Sequence, residues 1–161
     1  LERWLNGKIN PFTQVSPWNR KKQVLLNTQF NPTLYMKDFK KYYIVNASPL
    51  EVYTALTNPF TIQLWTGEPA EMSVIPESEF SLWEGSISGK NLEFIPGELI
   101  RQQWYFGDQE EPSIVTLKFH PHKNGTSVEL FHTNIPDEDY EDIVEGWTDS
   151  YFGSLIEFFN L

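Results

Sequence analysis

Three histidines, a scatter of serines and six tryptophans are the side chains of this 161-residue sequence with chemistry to offer, and it contains no cysteine. Without a thiol there is no disulfide framework, no thiolate metal site and no cysteine nucleophile. His120 and His122 flank Pro121. On a continuous strand the two would share a face, but the proline reads as the start of a turn, and no acidic partner stands at metal-ligand spacing. Neither a metal nor a cofactor is expected. His132 differs, because it continues the alternation Val128, Leu130, His132 that marks one buried strand face. A neutral imidazole there can hydrogen-bond a ligand, serve as a base, or be a satisfied core histidine bonded to Tyr or Trp. Nucleophile patterns are lacking. No G-x-S-x-G elbow occurs, and Gly85-Ser86-Ile87-Ser88-Gly89 lacks the lysine and following helix of a phosphate loop. No catalytic residue is assigned, and the chain is expected not to be an enzyme.

The aromatic residues are the stronger asset. Trp65, Trp83, Trp104 and Trp147 come from four separate segments. If they converge, they line an apolar cavity suited to a ring or an acyl chain, with Tyr151 beside Trp147 and with His132, Gln102 or Arg101 as polar contacts. The alternative is that these rings fill the core. Strand alternation does not decide whether Leu82 or Trp83 points inward.

The elements that must position these residues are legible from periodicity. Tyr140, Ile143, Val144, Trp147, Tyr151, Leu155, Phe158 and Phe159 recur at helical spacing, which predicts one helix over about Pro136–Asn160. Carboxylates crowd its first turns, where they complement the positive end of the helix macrodipole. The acidic cluster 137–145 therefore reads as a solvated helix start rather than a metal site. Gly146 and Gly153, seven residues apart, line up on one side, for a close backbone approach or for a ligand. Asp38–Asn46 predicts a first strand. Ser48-Pro49-Leu50-Glu51 forms a capping box that starts a short helix, and Pro59–Trp65 a second one. Glu79–Trp83, Ser86–Ile95, Glu98–Phe106, Ser113–His120 and Gly125–Asn134 predict antiparallel strands joined by turns, with Met72–Ile75 as a further short one. Strand, two short helices, a meander and a long helix make an α+β architecture.

Charge divides the chain. Residues 1–35 hold five basic side chains against Glu2, a net of +4, whereas residues 36–161 hold 7 basic and 21 acidic ones, a net of −14. The break at Met36 predicts an N-terminal extension or leader over 1–35 and the domain proper over 36–161. The net charge of −10 argues against nucleic-acid binding, and no apolar run is long enough to insert into a membrane. A cytoplasmic protein is the default expectation.

Val45-Asn46-Ala47-Ser48-Pro49-Leu50-Glu51-Val52-Tyr53-Thr54-Ala55-Leu56-Thr57-Asn58-Pro59, followed by Trp65 and Gly67, resembles the opening signature of the START-like (SRPBCC, helix-grip) superfamily. Further matching stretches are Glu79–Gly85, Gly97–Ile100, Trp104, Gly125–Leu130 with His132, and Gly146-Trp147. Within the superfamily the chain is most similar to the group related to the activator of heat-shock-protein-90 ATPase. The resemblance, over about 36–160, implies a curved antiparallel sheet wrapped around the long C-terminal helix. It also implies two principal functions. One is non-enzymatic binding of a small hydrophobic ligand between sheet and helix, which is the leading expectation. The other is a co-chaperone-like role with a chaperone partner. A cyclase- or hydrolase-like enzyme built on His132 ranks third.

Overall fold

The computed structural model describes residues 36–161. The expected extension over 1–35 lies outside them. Six strands form one antiparallel sheet: β1 (Met36–Val45), β2 (Glu79–Leu82), β3 (Ile87–Ile95), β4 (Leu99–Trp104), β5 (Ser113–His122) and β6 (Gly125–Pro136). Their spatial order is β1-β6-β5-β4-β3-β2. β2 to β6 are a meander, and β1 pairs with the last strand rather than the next one. The chain therefore leaves β1 at one edge and enters β2 at the other, by way of α1 (Pro49–Thr57) and α2 (Pro59–Thr66).

Local chemistry explains those two helices. The Ser48 side chain accepts from the Glu51 backbone N–H, and the Glu51 carboxylate accepts from the Ser48 N–H at 2.9 Å. Pro49 and Pro59 each occupy a first-turn position, where the missing N–H costs nothing. Asn58 serves both helices, ending α1 and capping α2 with a side-chain oxygen 2.9 Å from the Phe60 N–H. Gly67, at φ 81°, closes α2 in the left-handed region that a Cβ disfavours.

The C-terminal run starts with a 3₁₀ turn (Asp137–Asp139), continues as α3 (Tyr140–Glu145), widens into a π-helical segment (Gly146–Tyr151) and returns to α4 (Phe152–Phe159). The expected uninterrupted α-helix thus contains one wide turn, in which the Phe152 N–H donates to the Trp147 carbonyl five residues back. The run lies on the inner face of the sheet. Tyr43 of β1 stacks on Phe152 with ring centroids 4.1 Å apart, and Trp104 of β4 stacks on Trp147 at 4.6 Å.

Two further expectations need correction. Met72–Ile75 is not a strand; a single bridge joins Glu71 to Ser81. Pro121 does not start a turn, since β5 continues through it to His122. A proline is tolerated there because it falls near a strand end, two positions before the reversal.

Leu82 and Trp83 are both buried, which alternation alone does not allow. Trp83, Glu84 and Gly85 take successive positive φ values of 48°, 55° and 86° in the β2–β3 turn, and the left-handed backbone swings Trp83 inward after Leu82. Glu84 is exposed, so its side chain gains nothing that offsets this conformation. Glu84→Gly is expected to stabilise the fold by about 0.5–1 kcal/mol, read from urea midpoints. The relief of left-handed strain exceeds the added freedom of the unfolded glycine.

Candidate functional site: the aromatic interior between sheet and helix

Seven of the eight candidate residues meet on the inner side of the sheet. Trp65, held by donating its indole N–H to the Ala55 carbonyl at 2.8 Å, sits edge-on to Trp83 at 5.8 Å and to Tyr151 at 5.1 Å. Tyr151 lies 4.6 Å from Trp147, which stacks on Trp104. The rings form one continuous series from α2 through the C-terminal run to β4, all buried. Each of these rings has another ring as its neighbour.

Arg101 stands apart. Alternation along β4 turns Ile100, Gln102 and Trp104 inward and Arg101 outward, where it pairs with Glu93 at 3.2 Å. Gln102 takes part in a buried polar chain. It accepts from the Trp104 indole N–H at 3.3 Å and donates to the Asn91 side-chain oxygen at 2.9 Å, and Asn91 in turn donates to the Ser73 carbonyl. This ties the loop before β2 to the sheet.

His132 is fully buried, and both ring nitrogens are engaged. The Trp147 indole N–H donates to Nδ1 at 3.0 Å. An indole nitrogen can only donate, so Nδ1 must be bare and the single proton of the neutral ring is on Nε2. Nε2 lies 2.8 Å from the Ser113 hydroxyl oxygen, and that hydroxyl donates onward to the Thr133 carbonyl at 2.9 Å. The relay runs Trp147 to His132 to Ser113 to Thr133 with every proton used. A Ser–His pair at this distance would suit nucleophilic catalysis if Nε2 were free to accept. Here it donates, because Trp147 imposes the opposite tautomer, so the pair as arranged has no base to activate the serine.

Burial lowers the His132 pKa from 6.5 to about 3. The folded protein keeps the ring neutral while the unfolded chain protonates below pH 6.5. The resulting stability is full above that pH and is lost as the pH falls toward 3. Acidification across this window is expected to cost up to about 1.4 kcal/mol per pH unit from His132. Urea titrations of the native chain and of His132→Gln between pH 8 and pH 5 test this. The variant should lose that part of the slope, and parallel curves would contradict it.

Several residues of this interior were not singled out from the sequence. Ser113 shares the alternation of Val115, Leu117 and Phe119, and Asn91 shares that of Ile87 and Gly89, so strand parity held the signal for both. Phe152 lies outside the strict helical stripe and becomes buried through the π-helical turn. Among the described residues no group of three His, Asp or Glu side chains is gathered as a metal site, and no helix is long and apolar enough to cross a membrane.

The model of the family described as "Activator of Hsp90 ATPase homolog 1-like protein" matches residues 46–160, from the first capped helix to the end of the C-terminal run. The chain belongs to that family. Among its relatives is an activator of 90 kDa heat shock protein ATPase homolog from Dictyostelium discoideum, 32% identical over 103 residues. That alignment covers 62% of this chain and 27% of the relative. A human activator of 90 kDa heat shock protein ATPase homolog 1 is 26% identical, over 70% of this chain and 34% of its own length. The chain thus spans about a third of these curated relatives. The crystal structure of an HSP90 activator from Plasmodium falciparum superposes with a TM-score of 0.67 at 29% identity, over 75% of this chain and 94% of that one. The Aha1 dimer from Colwellia psychrerythraea shares the fold, with a TM-score of 0.67 at 18% identity over 78% of this chain and 98% of that one. Six antiparallel strands gripping a long C-terminal helix are therefore the family fold.

Proposed function

We propose that this chain is a co-chaperone-like interaction domain that binds an Hsp90-type chaperone and alters its ATP turnover. The observation that carries this reading is the family match over 46–160, with relatives and a solved structure named as Hsp90 activators. The geometry supports it. The inner aromatic residues contact one another and His132 has no nitrogen to spare, so recognition falls to the outer surface. The test is steady-state ATP hydrolysis by the Hsp90 of the source organism, titrated with the full chain. A saturable change in turnover is the expected result. Unaltered turnover together with no heat of binding in calorimetry would overturn the reading.

Binding of a small hydrophobic ligand between sheet and helix is the second reading, and the convergence of seven candidates favours it. It requires the rings to part, because they already touch. A hydrophobic fluorophore that binds near one equivalent and quenches tryptophan emission would support it, and His132→Ala would then shift the affinity by about the value of one hydrogen bond, near 1 kcal/mol.

A further inference from the structure

The cations of residues 36–161 all lie on strands or in the β5–β6 turn, and two of them, Lys37 and Lys41, reach over to Asp137 and Thr148 of the C-terminal run. β1 carries three, β3, β4 and β5 carry one each, and the β5–β6 turn holds the last, whereas α1, α2 and the C-terminal run carry none. Eight carboxylates lie between Asp137 and Glu157. In a domain of net charge −14, the C-terminal run is therefore purely acidic, while the strands carry cations and carboxylates together.

The outer face at the β1–β6–β5 end of the sheet adds apolar surface to those cations. Antiparallel register sets Lys40 beside Phe131 and Thr116 in one row, Tyr42 beside Glu129 and Lys118 in the next, and Ile44 beside Ser127 and His120 in the third. Tyr42 is 53% exposed, Ile44 52% and Phe131 38%. Three large apolar side chains on adjacent strands are more than this acidic molecule needs to show to water. Glu129 is the single carboxylate in the three rows. It is already approached by Lys40 at 4.0 Å, His120 at 3.2 Å and the Tyr42 hydroxyl at 3.4 Å, with Lys118 directly across from it. One carboxylate shared in this way leaves the rows locally positive.

We propose that this outer sheet face, built on Lys40, Tyr42, Ile44, Phe131 and Lys118, is a docking surface for an acidic protein segment carrying apolar side chains between its carboxylates. The proposal rests on the co-chaperone reading for the identity of the protein that bears the segment, and on charge complementarity for its chemistry. An acidic partner is repelled by the C-terminal run, which holds eight carboxylates and no cation, and attracted by the locally positive rows, so the encounter is oriented before contact. A nucleic acid or an anionic bilayer, extending beyond the patch, would meet the acidic body as well. A short protein segment meets the rows alone.

The test measures binding of the full chain to the source organism's Hsp90 at low and high salt, for the native protein, Lys40→Glu/Lys118→Glu, Lys40→Gln/Lys118→Gln and Phe131→Ser. Phe60→Ser/Leu64→Ser serves as a control, since these residues make another exposed apolar pair, one helical turn apart on α2. Charge reversal is expected to weaken binding by about tenfold or more, the glutamine pair less, and added salt should mimic the loss. Far-UV circular dichroism verifies that the variants are folded. If Hsp90 binds and the sheet variants bind as the native chain does, the surface is wrong and the co-chaperone reading stands. If Hsp90 does not bind at all, that reading fails. The surface is then judged with short synthetic peptides in which aliphatic residues alternate with glutamate, against counterparts with lysine. Preference for the acidic peptide, lost on charge reversal, upholds the docking surface, and equal or absent binding overturns it.

Discussion

Replacing Trp147 by alanine is expected to lower the unfolding free energy by about 3–5 kcal/mol, the range for emptying a buried aromatic site. Trp147 has no exposed surface and contacts Trp104, Tyr151 and Phe152, with ring centroids at 4.6, 4.6 and 5.8 Å. Its removal also strips Nδ1 of His132 of a donor in a site that water does not reach. Trp147→Phe separates the two losses, because it keeps most of the ring and deletes the N–H. A cost of about 1–3 kcal/mol for that variant would be mainly the orphaned acceptor. Denaturant titration measures both. A loss under about 1 kcal/mol for the alanine variant would contradict the burial of Trp147.

Gly89→Ala is expected to match that effect with a single added methyl group. Gly89 faces inward on β3 opposite Trp104. A Cβ built there would overlap the Gln103 carbonyl oxygen and come within 2.8 Å of the Phe80 ring. β3 lies between β2 and β4 and is hydrogen-bonded on both sides, so neither neighbouring backbone can retreat without loss of register. The cost should be about 3 kcal/mol or more, above ordinary overpacking because the obstacle is main chain. For a domain of this size that is a fall in Tm of about 6–12 °C. Gly85→Ala offers a contrast, since its Cβ would find its nearest neighbour at 3.9 Å and would pay only for its φ of 86°. A Gly89→Ala protein that melts with the native one would show that the β3–β4 pairing is not as described.

Periodicity and punctuation carried most of this fold. The Ser48–Glu51 capping box, Asn58-Pro59 and the alternation through Val115, Leu117 and Phe119 each state a local preference that the tertiary structure keeps. What stayed hidden was decided by backbone geometry rather than by side-chain pattern. Trp83 is buried because three left-handed residues reverse the alternation, and no local rule favours a tryptophan there. Phe152 is buried because the helix widens by one residue, a change that a 3.6-residue template reads as an imperfect stripe. For the interior, the sequence indicated which rings would gather but not that they would touch. Nor did it show that His132 would accept from Trp147, because the tautomer depends on a partner fifteen residues away meeting it in space. Alternation placed Gln102 inward, and it equally placed Arg101 outward.

The wide turn between Gly146 and Tyr151 also changes how the domain tolerates insertions and deletions. Elsewhere in an α-helix the loss of one residue rotates everything beyond it by about 100° and takes the buried face with it. A π-helical turn holds one residue more than the α-helical path between the same two ends, so the flanking segments are already in phase. Deletion of the exposed Asp149 would let the backbone close to α-helical geometry while Ile143 on one side and Leu155 on the other keep their places against the sheet. The C-terminal helix thus has one defined point at which a residue can be lost without a change of phase. Relatives that differ there by one residue can share the same core.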